Sequence, residues 1–161
     1  MLNPFKKTIM RSRTATWFVC IIKYEKIQED GLQKKVTEQY VLDALSFSEA
    51  EKRITEEMLS YISGEFKIEN INPAPFAEIF FSDEEMADKW YKAKLQFITI
   101  DEKTDKEKRT NVTYLVQAGS LEAARKNIDE VMGGTMIDYV ISSLNETRIM
   151  DVFEYVKEQE D

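Results

Sequence analysis

Two tryptophans offer the most chemistry in this chain of 161 residues, which contains no histidine. Trp17 and Trp90 each open an alternating apolar run, on the strand face opposite Phe18 and Tyr91. The Trp90 face continues as Lys92, Lys94 and Gln96, and the Trp17 face as Val19, Ile21 and Lys23. An indole beside ammonium groups suits single-stranded nucleic acid, because every base has a π face to stack and every nucleotide a phosphate to contact. Trp17, Lys23, Trp90, Lys92 and Lys94 are therefore the candidate binding residues. The plainer use of the same indoles is to fill a seam between two packed halves, since large aromatics are more often packing groups than platforms.

Carboxylates come next. Glu78 lies within Phe76-Ala-Glu-Ile-Phe80 and Asp151 within Ile149-Met-Asp-Val-Phe153, two matching apolar strands. Two such groups meeting would make an acid/base pair. Neither has a second catalytic group beside it in sequence, so solvation or a lysine on a neighbouring strand accounts for them better. The absence of histidine removes the commonest general base, the commonest transition-metal ligand and every Ser-His or Cys-His pair. Cys20 is the single cysteine and has the parity of the apolar strand face, which makes it a small core residue rather than a disulfide partner. Glycine-rich phosphate loops, paired cysteines and acidic loops at calcium spacing are absent. The expectation is a chain with no catalytic residues, no metal and no cofactor, and so not an enzyme.

What positions these residues is a tandem duplication. Shifted by 73 residues, Trp17, Phe18, Cys20, Ile22 and Tyr24 fall on Trp90, Tyr91, Ala93, Leu95 and Phe97. One inserted residue then sets Tyr40, Ala44, Ser46, Ala50, Ile54 and Met58 on Tyr114, Ala118, Ser120, Ala124, Ile128 and Met132. The first offset returns, and Phe66, Asn72, Glu78 and Phe80 meet Tyr139, Asn145, Asp151 and Phe153. Each copy reads strand, strand, helix, strand, strand. The strands follow from period-two alternation and the helices from apolar residues at a period near 3.6. Asp30-Gly31 marks a hairpin turn, and a charged loop from Asp101 to Lys108 marks its counterpart. Ser46 with Glu49, or Ser48 with Glu51, caps the first helix, and Ser120 caps the second. Asn72-Pro-Ala-Pro75 is a connection, because proline cannot donate a ladder hydrogen bond.

These elements predict an α+β protein of two antiparallel sheets, each covered by one helix and related by a pseudo-twofold axis. The domain boundaries are 1–16, a basic arm; 17–81, the first repeat; 82–89, an acidic linker with a possible helical turn; 90–155, the second repeat; and 156–161, an acidic tail. A repeat of this length is near the lower limit for independent stability, so the copies are expected to lean on each other.

Apolar residues make up 43% of the chain and charged residues 32%, the balance of a folded domain. No apolar run reaches the roughly 18 residues of a membrane helix and no signal peptide is recognisable, so the chain is expected in the cytoplasm and away from membranes. The net charge is −8, but residues 1–45 carry eight basic and five acidic groups whereas 119–161 carry four and ten. That polarity confines any nucleic-acid contact to the arm and the hairpins.

Trp17-Phe-Val, Ala77-Glu-Ile-Phe-Phe81 and Asp151-Val-Phe-Glu-Tyr155 resemble a family of short bacterial and phage proteins known only as a domain of unknown function, over Trp17 to about Val156. The resemblance implies no activity and no site residues. From Glu65 to Met132 the order of four strands and a helix is also similar to the repeats of Pur-alpha-type single-strand binders, from which the acidic balance departs. The reading is a non-catalytic binding module associated with single-stranded nucleic acid or its processing machinery. The alternative is a protein-interaction or host-modulating factor that uses an apolar sheet face or forms a homodimer.

Overall fold

The computed structural model describes residues 15–155, so the expected basic arm up to residue 14 and the acidic tail 156–161 lie outside the described residues. Ten elements follow in chain order. They are β1 (Thr16–Ile27), β2 (Gln33–Ala44), α1 (Phe47–Tyr61), β3 (Phe66–Pro73) and β4 (Glu78–Phe80), then β5 (Lys89–Ile100), β6 (Glu107–Ala118), α2 (Leu121–Gly133), β7 (Asp138–Glu146) and β8 (Ile149–Phe153). The fold class is α+β, with two four-stranded, mainly antiparallel sheets and two helices.

Local chemistry accounts for the elements. Gly31 takes φ 83°, the left-handed conformation its turn requires, and the Asp30 carboxylate accepts the Leu32 N–H. In the matching hairpin Asp105 adopts φ 55°, a conformation aspartate tolerates, so that loop turns without glycine. The Ser46 hydroxyl accepts the Glu49 N–H and the Ser120 hydroxyl the Ala123 N–H, both at 3.1 Å. Each cap satisfies one of the free donors at the helix start. Ala50, Ile54 and Met58 of α1 and Ala124, Ile128 and Met132 of α2 are the buried stripe of each helix, as the period of 3.6 requires. The linker 82–89 forms a turn at Glu85 and Met86 rather than a helical turn. Gly119 makes room for it, since a Cβ there would overlap the Met86 carbonyl oxygen.

Strand pairing departs from the expected four consecutive strands per sheet. One sheet has the order β3-β1-β2-β8 and the other β4-β6-β5-β7. Each repeat keeps its first three strands and gives its fourth to the other repeat's sheet. The donated strands pair in parallel, β8 on β2 and β4 on β6, so neither sheet is wholly antiparallel. Two compact units result, residues 15–74 with 148–155, and residues 75–147. The frame Glu65 to Met132 is not a unit, because β3 lies in the sheet of β1.

The chain leaves each sheet at the end of the third strand. The Ala74 N–H donates to the Trp17 carbonyl at 2.7 Å, and the Thr147 N–H to the Trp90 carbonyl at 2.8 Å. These bonds carry β3 and β7 to the end of their partner strands, and no tight turn follows to bring the chain back. In the first unit the helix side of the sheet packs Phe18, Cys20, Ile22, Tyr40 and Leu42 against α1. In the second, Tyr91, Ala93, Leu95, Tyr114 and Val116 pack against α2. A large aliphatic side chain so buried contributes about 1.5–3 kcal/mol.

Candidate functional site

The sequence-predicted residues do not form an exposed aromatic and basic surface. Trp17 is 2% exposed and Trp90 4%. The Phe81 ring and the Trp90 indole make a T-shaped contact, with centroids 5.7 Å and planes 86° apart. Base stacking needs a free ring face, so the proposed platform loses its aromatic half. Of the lysines, Lys23 is bound to Glu69 at 2.7 Å, Lys92 is half-buried and Lys94 is exposed. Trp17 and Lys23 belong to the unit of β1, whereas Trp90, Lys92 and Lys94 belong to that of β5. Within each unit the tryptophan has a backbone role, its carbonyl receiving the N–H that ends the third strand.

Glu78 and Asp151 sit on the donated strands, in different units. Glu78 lies across from Tyr114 and Asp151 across from Tyr40. Asp151 Oδ1 accepts the Val152 N–H at 2.8 Å. Burial pushes the Tyr114 phenol upward, with the Glu78 charge adding to the effect. The Cys20 thiol is fully buried and pushed up to about 12 by that burial, which makes it inert as a nucleophile. Tyr24, Tyr40 and Tyr139 are pushed the same way, burial being the largest cause for each. All five groups are held toward their protonated forms. Among the described residues no three potential metal ligands gather, and no helix is long and apolar enough to cross a membrane.

Two features that the sequence reading passed over stand out. The first is a polar node that fastens each donated strand. Asp43 Oδ1 accepts the Tyr155 N–H at 2.8 Å, while Arg53 Nη1 donates both to Asp43 Oδ1 and to the Asp43 carbonyl. The Arg53 guanidinium also lies over the Tyr155 ring at 5.0 Å. At the duplicated positions Gln117 Oε1 accepts the Ser82 N–H at 2.9 Å, and Asn127 Nδ2 donates to the Gln117 carbonyl at 3.2 Å. One node is charged and the other neutral, and in both a helix side chain donates to the carbonyl of the strand residue that accepts the N–H. The signal was available: Asp43 and Gln117 are aligned polar residues inside apolar strand ends.

The second is a groove of about 740 Å³ between α2 and β7, within the unit of residues 75–147. Leu121, Glu122, Arg125 and Asp129 line its helix side, and Tyr139, Val140, Ile141, Ser143 and Leu144 its strand side. That volume falls in the usual range for ligand sites, about 300–1,000 Å³. The Tyr139 hydroxyl donates to Asp129 Oδ1 at 2.6 Å across the groove. β7 ends its sheet, so among the described residues only one of its sides carries a strand. At the duplicated place α1 bears a shallower hollow of about 420 Å³ lined by helix residues alone.

A fold of two such sheets with exchanged strands defines a duplicated α+β protein. The family described as "Domain of unknown function (DUF4494)" matches residues 16–155, and the chain belongs to that family. No curated protein matches the chain, and no solved structure does.

Proposed function

We propose that this protein is a non-catalytic interaction module that takes an extended segment of a partner protein as an added strand on β7, in the groove beside α2. One comparison internal to the chain carries this reading. β3 and β7 are the same strand in the two copies and both are sheet edges, each with a bulge opposite the first strand. β3 has the usual protection of an edge: Lys67, the ion-paired Glu69 at the bulge, and a terminal Pro73. At those positions β7 has Val140, Ser142 and Glu146. β7 is nine residues long with no lysine, arginine or proline, and Val140 is 37% exposed. A long edge without lysine, arginine or proline, beside a groove of mixed apolar and charged lining, is an arrangement that strand addition can use, the backbone giving affinity and the groove giving selectivity.

The upward shifts of Cys20, Tyr24, Tyr40, Tyr114 and Tyr139 argue against any of these five as an activated nucleophile, which needs the opposite. The test uses the full chain and a labelled nine-residue peptide of alternating valine and threonine. Binding should slow amide exchange along Asp138–Glu146, and Val140→Lys, which copies Lys67 of the guarded strand, should abolish it. Protection confined to β3, or binding unchanged by Val140→Lys, sinks the reading. If a mixed-sequence single-stranded oligonucleotide binds at low salt and the peptide does not, the nucleic-acid alternative takes its place.

A further inference from the structure

We infer that the partner segment received by the α2–β7 groove is basic, with apolar residues at alternate positions and lysine or arginine between them. This rests on the strand-addition reading of the same site. The elements that form the groove carry Glu122, Asp129 and Glu130 on α2 and Asp138 and Glu146 on β7. Only Arg125 and Lys126 oppose these five carboxylates. Asp129 is engaged by the Tyr139 hydroxyl, but that phenol is pushed up to about 12, first by burial and then by Asp129 itself. Its proton therefore stays on the phenol oxygen, and the hydroxyl acts as a donor to Asp129. Glu146 has Lys89 at 4.0 Å, but both side chains are about half exposed and solvent screens the pair.

The same charges argue against a second copy of this chain as the occupant. Two β7 strands paired in opposite directions about their centres would set Asp138 of one across from Glu146 of the other. Paired in the same direction, they would set each carboxylate beside its own copy. Like charges directly across a ladder are destabilising. A basic segment reverses the sign at both ends of the strand. Its alternate apolar side chains would lie on the exposed Leu121 and on Ile141 and Leu144 in the groove.

The test is fluorescence anisotropy with the full chain and three nine-residue peptides of alternating valine, in which the intervening residue is lysine, threonine or glutamate. The lysine peptide should bind more tightly than the glutamate peptide by on the order of tenfold at low salt, as a few exposed charge pairs would give, and the ratio should shrink as salt rises. Glu122→Gln with Asp138→Asn should bring the ratio toward one without loss of the threonine peptide. Gln33→Lys, the same charge change on β2, should leave binding within about twofold, whereas Val140→Lys should remove it. If the glutamate peptide binds as tightly as the lysine peptide, or tighter, the inference is wrong and strand addition stands. If Gln33→Lys weakens the lysine peptide as much as Val140→Lys does, the attraction is to the acidic chain at large and the inference fails. If folded protein binds none of the three, strand addition itself fails, and the inference with it.

Discussion

Asp43 is 3% exposed, and removal of its carboxylate would leave Arg53 facing a cavity and the Tyr155 N–H without its acceptor. Breaking a buried ion pair from one side costs about 3–5 kcal/mol, whereas losing a neutral buried acceptor costs about 1–3 kcal/mol. Asp43→Ala should therefore lower the urea midpoint more than Gln117→Ala does, although the two residues hold the same place in the duplication. Equal effects would mean that the Arg53 charge contributes nothing. Gly119→Ala should destabilise by about 1–3 kcal/mol, because the overlap with Met86 is with backbone and cannot be relieved by a side-chain rotation. A midpoint unchanged by Gly119→Ala would show that the linker turn moves freely. At this scale the sequence was a mixed guide. The caps at Ser46 and Ser120 and the core positions Ile54 and Ile128 were legible because local spacing determines them. Trp17 and Trp90 were correctly placed on the face away from the helix, but parity within a strand says nothing about what covers that face.

Among the elements, the duplication foretold eight strands and two helices in the order observed, yet not the sheet each fourth strand joins. Sequence similarity between repeats is blind to this. Phe80 lies 4.8 Å from Tyr114, and Phe153 5.6 Å from Tyr40, so the donated phenylalanine meets the same tyrosine position in either sheet. A strand kept at home would carry the same residues as a strand exchanged. The backbone bonds of Ala74 and Thr147, which mark where the chain leaves each sheet, are not encoded in side-chain patterns either. The β7 edge was likewise hidden until Lys67 was set beside Val140. The exchange has a direct consequence. Ile79 is fully buried and Val152 8% exposed, and truncating either to alanine should cost about 1–4 kcal/mol. Ile79→Ala should speed amide exchange in β6, around Tyr114–Val116, while leaving β3 protected. Val152→Ala should do the same to β2, around Tyr40–Leu42, while leaving β7 protected. Loosening of β3 by Ile79→Ala would contradict the pairing.

For the molecule as a whole, the two units differ in how they should respond to alkali. The unit of residues 15–74 with 148–155 holds Cys20, Tyr24 and Tyr40, all pushed upward by burial, whereas the other unit holds Tyr114 and Tyr139. A group whose pKa is raised in the folded state binds its proton more tightly there than in the unfolded chain. Its stabilisation is complete below the unfolded value and is lost as pH rises through the folded one. For Cys20 that window opens near 9.0 and runs to about 12, and for Tyr24 and Tyr139 it opens near 10.0 and runs to about 12. The unit that contains Cys20 should therefore weaken first. Both tryptophans are buried, one in each unit, so Trp90→Phe leaves Trp17 as the reporter of its own unit and Trp17→Phe leaves Trp90. In a pH titration at a fixed, moderate urea concentration, the red shift of Trp17 emission should begin near pH 9 and that of Trp90 nearer pH 10. Cys20→Ala should delay the Trp17 transition by about one pH unit, since only tyrosines then remain, and the second repeat already carries alanine at that position as Ala93. The two indoles shifting together, with Cys20→Ala having no effect, would show that the buried thiol does not set the onset.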